Sequence, residues 1–97
     1  MAHYLMLGRF TKEGLKDIET TEERLHKFKA LCEKEGAKVV SYYLLLGEHD
    51  IACFIDAPNA EATAKLALIV GKRGNVRTQS MPAFTESEFL HMLKKIS

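Results

Sequence analysis

Five polar side chains in this chain are of the types that bind or transform small anionic molecules. They are an imidazole, a carboxylate, an amide and two guanidinium groups, on His49, Asp50, Asn75, Arg9 and Arg77. Guanidinium groups form charge-assisted hydrogen bonds with carboxylates and phosphates. An imidazole titrates near neutral pH, as a general base at a catalytic site must. These residues can act together only if the fold brings them to one place.

Strand and helix signals alternate along the whole chain. Four segments rich in strand-forming residues span 3–10, 37–46, 50–57 and 75–84. Helix starts are indicated by a capping-box pattern at residues 20–23, by Pro58-Asn59, and by a second capping box at residues 85–88. Gly47-Glu48 predicts a tight turn between the second and third strands. The predicted order is βαββαβ, followed by a C-terminal helix.

This order closes most simply as a four-stranded antiparallel sheet with strand order 4-1-3-2. Because crossover connections are right-handed, both internal helices are expected on one face of the sheet. We therefore predict a single α+β domain over residues 1–97, of the ferredoxin-like kind. In such a sheet the end of the first strand, the turn before the third and the start of the fourth lie at one end. The five polar residues are predicted to gather there.

The central strands carry more apolar surface than one layer of helices can cover. Residues 39–46 contain one strongly polar side chain, Ser41, and residues 51–55 contain none. A strand with one wet face should instead alternate apolar and polar residues. Each Å² of apolar surface removed from water contributes about 25 cal/mol, so a bare face is a liability. We expect a second copy of the chain to cover it, in a homodimer or larger homo-oligomer. The alternative is that the C-terminal helix folds over that face.

Composition argues against several classes of protein. Fourteen Lys and Arg against 13 Asp and Glu give a net charge of +1, which creates no field that attracts nucleic acid or an acidic membrane. No stretch approaches the ~20 apolar residues of a membrane-spanning helix. Residues 1–10 resemble a strand rather than a signal peptide, and Cys32 and Cys53 are predicted to be reduced thiols. We therefore expect a cytoplasmic protein.

Motifs for cofactors and metals are missing from the sequence. The four histidines show no metal-binding spacing, and no glycine-rich phosphate loop or nucleophile elbow is present. No cofactor and no metal site are predicted.

An ordered set of short segments resembles the GYD-domain family over essentially the whole chain. These segments are Tyr4-Leu-Met-Leu-Gly-Arg-Phe-Thr11, Gly47-Glu-His-Asp50, Ala57-Pro58, Ala64-Lys-Leu-Ala-Leu68, Gly74-Asn-Val-Arg-Thr78 and Ala83-Phe-Thr-Glu86. His49 stands where the family signature has its tyrosine, so no role that needs a phenol is carried over. The resemblance implies a dimeric α/β barrel, in which two sheets pack face to face, and it implies no particular activity.

Each candidate residue also has a plain structural interpretation. Arg9 and Asp50 could form a cross-strand ion pair, and Arg77 could be a solvated charge on an edge strand. His49 and Asp50 are adjacent, and adjacent side chains in a strand point to opposite faces. Asp50 is therefore a poor partner for orienting the imidazole.

Two functions remain open on this basis. The first is an oligomeric binding or assembly domain that holds a small anionic metabolite between two sheets, through Arg9, Asp50, Asn75 and Arg77. The alternative is a cofactor-free enzyme of the oxygenase, isomerase or lyase type, with His49 as its proton shuttle. RNA binding through the open sheet ranks below both, because the central strands lack the required aromatic and basic residues.

Overall fold

The chain folds into four strands and four helices, and the computed structural model describes residues 1–96. In chain order the elements are β1 (Ala2–Phe10), α1 (Lys12–Lys16), a 3-10 turn (Ile18–Thr20), α2 (Thr21–Lys34), β2 (Lys38–Leu44), β3 (Ile51–Ala57), α3 (Ala60–Arg73), β4 (Val76–Pro82) and α4 (Glu86–Leu93).

The strands form one antiparallel sheet in the order β2-β3-β1-β4. This is the predicted 4-1-3-2 order, and the α+β, ferredoxin-like fold is confirmed. β1 lies at the centre, where it pairs with β3 on one side and with β4 on the other. β4 is an edge strand, as Pro82 indicated, since a proline has no N–H to donate to a neighbouring strand.

The two predicted capping boxes have different outcomes. At α4 the Thr85 hydroxyl accepts from the Glu88 amide at 3.1 Å, and the Glu88 carboxylate accepts from the Thr85 amide at 2.8 Å. At α2 the predicted box is wrong, because the Thr20 hydroxyl instead donates to the Asp17 carbonyl at 2.7 Å. Thr20 ends a 3-10 turn with φ −87° and ψ 5°, so it lacks the extended backbone that an N-cap requires.

The connection between β2 and β3 is longer than the predicted tight turn at Gly47-Glu48. It runs over residues 45–50 and is closed by a 2.7 Å hydrogen bond from the Leu45 amide to the Asp50 carbonyl. The predicted second strand ends at residue 46 because Leu44, Leu45 and Leu46 continue its apolar run, whereas β2 ends at Leu44. Leu46 is in fact fully exposed and lies beyond the strand.

The hydrophobic core lies between the sheet and the layer formed by α2 and α3. Strand side chains of alternate residues point into it, among them Met6, Cys53 and Ile55, and they meet Cys32 of α2 and Leu66 of α3. An ion pair joins the two helices at the end of the layer where α2 ends and α3 begins. The Lys65 ammonium lies 3.1 Å from the carboxylate of Glu35, which caps the C-terminus of α2.

The opposite face of the sheet carries no helix. Leu5, Leu7, Phe54 and Met81 point to this open face, as the strand register requires. Residues 84–96 are exposed throughout, so α4 does not fold over the face, and the alternative in which it did is wrong for the single chain. Among residues 1–96, no helix combines the length and the apolar character needed to cross a lipid bilayer.

Gly14 permits a close approach between α1 and the start of β4. A methyl group on its Cα would lie 2.0 Å from the Asn75 carbonyl oxygen, which also accepts a 3.0 Å hydrogen bond from the Thr11 amide. We expect Gly14→Ala to lower the free energy of unfolding by about 1–3 kcal/mol, because the chain must shift to make room. Urea unfolding followed by circular dichroism measures this.

Gly71 provides the matched control, since a Cβ there meets no atom within 4 Å and the residue lies in α3. Gly71→Ala should leave stability unchanged or raise it by up to about 1 kcal/mol. Equal urea midpoints for the two variants would contradict the close approach at Gly14.

Candidate functional site

The structure gathers the five predicted residues at one end of the sheet but on different sides of it. Arg9 and Arg77 are direct cross-strand partners, and both point to the open face. The Arg9 guanidinium lies 3.7 Å from the exposed Glu48 carboxylate, a contact that contributes little in water. These two guanidinium groups are the pair of predicted residues that the register brings together.

Asp50 does not form the suggested ion pair with Arg9. One of its carboxylate oxygens accepts a hydrogen bond from the Phe10 amide at 2.9 Å, and its own amide donates to the Gly8 carbonyl at 2.8 Å. Asp50 therefore extends the pairing of β1 past the last residues of the β1–β3 ladder. This contact ties the β2–β3 connection to the end of β1.

Among residues 1–96, His49 and Asn75 form no hydrogen bond with either of the two arginines. His49 is half-buried in the β2–β3 connection and makes no side-chain hydrogen bond within residues 1–96. The Asn75 carbonyl receives the Thr11 amide, and Asn75 borders a cavity on the helix side of the sheet. The imidazole is thus not oriented by any of the other four predicted residues.

A cavity of about 460 Å³ opens at this end, between the sheet, α2 and α3. Its volume falls in the range of small-molecule sites. Its apolar walls are formed by Met6, Phe10, Leu25, Phe28, Ile51, Val70 and Val76. Arg24 and Lys27 of α2 and Arg73 of α3 are the charged residues that line it. Sequence reasoning assigned no role to Arg24 or Lys27, although Arg24 follows Thr21 and precedes Phe28 at helical spacing.

The cavity floor is uncharged. Burial raises the pKa of the Cys53 thiol to about 12, and burial likewise raises the pKa of the Tyr42 phenol above its usual value. The neighbouring Cys32 thiol, also buried, has its pKa raised to about 11. All three groups therefore keep their protons near neutral pH, and neither thiol is an activated nucleophile.

A second polar cluster lies at the other end of the open face. His3 Nδ1 is 2.6 Å from an Asp56 carboxylate oxygen, and the His3 ring stacks on Phe54 with centroids 5.2 Å apart. Direct pairing of His3 with Asp56 in the β1–β3 register produces the contact. The sequence pattern did not indicate it. Among residues 1–96 no three side chains of metal-binding type cluster together.

Three comparisons with known proteins bear on identity. The family model for the GYD domain matches residues 4–93. A Thermus thermophilus protein described as "Glutamine synthetase and cystathionine beta-lyase binding protein" is 26% identical over 95 residues, which cover 97% of this chain and 100% of that protein. The crystal structure of FFRP-DM1 is similar in fold, with a TM-score of 0.60 and 17% identity over 87% of this chain and 100% of that one. Because the family match spans nearly every residue, the chain belongs to the GYD domain family.

Proposed function

We propose that the chain is a homodimeric binding domain in which the open faces of two sheets pack together. The observation that carries the proposal is the apolar content of a face that no helix covers, where Leu5, Leu7, Phe54 and Met81 are only partly buried and Tyr43 is 55% exposed. Monomeric proteins seldom leave a contiguous apolar patch of this kind in water. The same face of a second copy is the simplest cover, because a two-fold interface buries one patch against itself.

Helix α4 supports the choice of a second copy as the partner. Its apolar side chains Phe89, Met92, Leu93 and the following Ile96 recur at helical spacing and are 55%, 39%, 45% and 77% exposed. The segment leaves the sheet edge at Ala83, whose amide donates to the His3 carbonyl at 2.8 Å. In the dimer, α4 of each copy contacts the partner rather than its own sheet.

The dimensions of the single chain agree with this proposal. Its radius of gyration is 14.7 Å, whereas a compact domain of this length has about 12.5 Å. A chain this extended exposes more surface than a compact domain of the same length does. Face-to-face pairing removes that surface from water.

Substitution on the open face should dissociate the dimer. We expect Leu7→Lys to weaken self-association at least 30-fold, because the change places a charge in the centre of the interface, where truncating a key residue costs about 2 kcal/mol or more. Sedimentation equilibrium over a concentration series measures the change. Leu68→Lys is the control, since Leu68 is 75% exposed on α3, on the helix side.

A wild-type chain that sediments as a monomer at micromolar concentration would overturn the dimer. So would a Leu7→Lys variant with unchanged self-association.

A small anion between the two sheets is the finer part of this proposal. Arg9 and Arg77 lie directly opposite each other, and like charges in that position repel. An anion held by both guanidinium groups would relieve the repulsion and form charge-assisted hydrogen bonds. The enzymatic alternative has less support, because the His49 side chain makes no hydrogen bond within residues 1–96 that would orient it as a proton shuttle.

Removing one guanidinium group should weaken anion binding. We expect Arg77→Gln to reduce the affinity for sulfate or citrate roughly tenfold, since a hydrogen bond to a charged group contributes about 1.5 kcal/mol. Isothermal titration calorimetry provides the readout. Lys38→Gln, which removes a charge at the opposite end of the same face, should change little. Equal losses in the two variants would indicate a general charge effect and no arginine site.

A protein partner is the other finer part of the proposal. The Thermus thermophilus relative is described as binding glutamine synthetase and cystathionine beta-lyase. We propose that this chain also binds another enzyme, with its dimer presenting each outer surface twice.

Sedimentation velocity of the wild-type dimer mixed with each of these two purified enzymes should show a faster-moving complex with one of them. The Leu7→Lys variant should bind less, because it loses the second contact. Separate sedimentation of the dimer from both enzymes would argue against this partner class.

A further inference from the structure

The cavity between the sheet, α2 and α3 has an apolar interior and a positively charged rim. It lies on the helix side, away from the open face on which the proposed dimer depends. We infer that this cavity binds a small molecule with a hydrocarbon body and one carboxylate group, of the fatty-acid type. This site is independent of self-association, so either proposal can fail while the other stands.

The interior suits a hydrocarbon body. Phe28 of α2 and Val70 of α3 line the helix side of the cavity, and Ile51 and Met6 line the sheet side. The thiol and phenol of the floor are neutral, as described above. A body lying among these side chains removes its own surface and theirs from water, which is the main driving force for apolar ligands.

Arg24 supplies a fixed positive charge on the rim. Its Nη1 donates to the Asp17 carbonyl at 2.9 Å and to the Thr20 hydroxyl at 2.6 Å, while Nη2 donates to the Gly14 carbonyl at 3.3 Å and to the Thr21 hydroxyl at 3.2 Å. All four acceptors are uncharged oxygens. The side chain is therefore held in place, and within residues 1–96 no carboxylate pairs with its charge.

Lys27 and Arg73 bring two more cations to the same cavity. The carboxylate nearest to Lys27 is that of Glu23 at 4.0 Å, in an exposed pair that contributes little. Arg73 forms no ion pair within residues 1–96. No aspartate or glutamate lines the cavity at all among the residues described.

This one-sided charge distribution selects the head group of the ligand. Three cations around one cavity favour an anion there, and water screens the charge of half-buried Arg24 less than it screens those of exposed Lys27 and Arg73. A carboxylate at the rim, near Arg73 and Arg24, places the rest of the molecule toward Phe28 and Met6. An uncharged molecule of the same shape would lack this electrostatic attraction, and a cation would be repelled.

Calorimetric titration of the full chain with octanoate, decanoate and decanol tests the inference. We expect decanoate to bind about 15-fold more tightly than octanoate, since each buried CH₂ contributes about fourfold, or ~0.8 kcal/mol. Decanol should bind at least tenfold more weakly than decanoate. Arg73→Gln should weaken decanoate roughly tenfold and leave decanol unchanged. Lys72→Gln removes a neighbouring charge that does not line the cavity, and it should match the wild type.

A second pair of variants tests where the ligand sits. Val70→Phe fills part of the cavity and should weaken decanoate at least tenfold, whereas Leu68→Phe changes an exposed position on the same helix and should not. Circular dichroism confirms that each variant is folded, and if Val70→Phe is not, the Arg73→Gln and Lys72→Gln pair decides. Equal affinity for decanol and decanoate, equal effects of the two charge variants, full binding by folded Val70→Phe, or no binding by any of these probes would overturn the inference.

Discussion

The sheet has two apolar faces, and the chain provides helices for one of them. On the covered face, Met6, Cys53 and Ile55 pack against α2 and α3 and form the core. On the other face the same strands present Leu5, Leu7 and Phe54, because successive side chains in a strand point to opposite sides. The core on one face and the apolar surface on the other are therefore products of the same strand pairing. The central antiparallel ladder that builds the core also creates the surface that we propose a second copy covers.

The helix layer is closed at one end and open at the other. Where α2 ends, the Glu35–Lys65 ion pair and the contact of Cys32 and Leu66 in the core join it to α3. Where α2 begins, α1 and the 3-10 turn lie between it and the end of β1, and their carbonyl and hydroxyl oxygens hold Arg24. The cavity opens at this second end. Its charged rim comes from α2 and α3, and the short helical segment that follows β1 holds one of those charges, Arg24, in place.

The end of the sheet that carries the candidate residues was predictable, and the grouping of those residues was not. Topology alone places Arg9, the β2–β3 connection and Asn75 near one another, and the structure agrees. The side on which each residue lies depends on register, and a shift of one residue moves a side chain to the opposite face. Arg9 thus points to the open face while its neighbour Phe10 lines the cavity. The hydrogen bond from the Phe10 amide to Asp50 also depends on where the ladder ends.

Local patterns in the sequence determined the order of the elements, the strand order, the capping box at Thr85 and the excess of apolar residues in the central strands. These depend on interactions between residues close in sequence or on simple rules of chain connection, so they can be inferred without coordinates. Tertiary structure alone decided that α4 stands away from its own sheet, and that Arg24, Lys27 and Arg73 meet around one cavity. Each of these depends on the positions of segments distant in sequence. Such positions are set by packing and by backbone hydrogen bonds to other elements, which a local pattern does not contain.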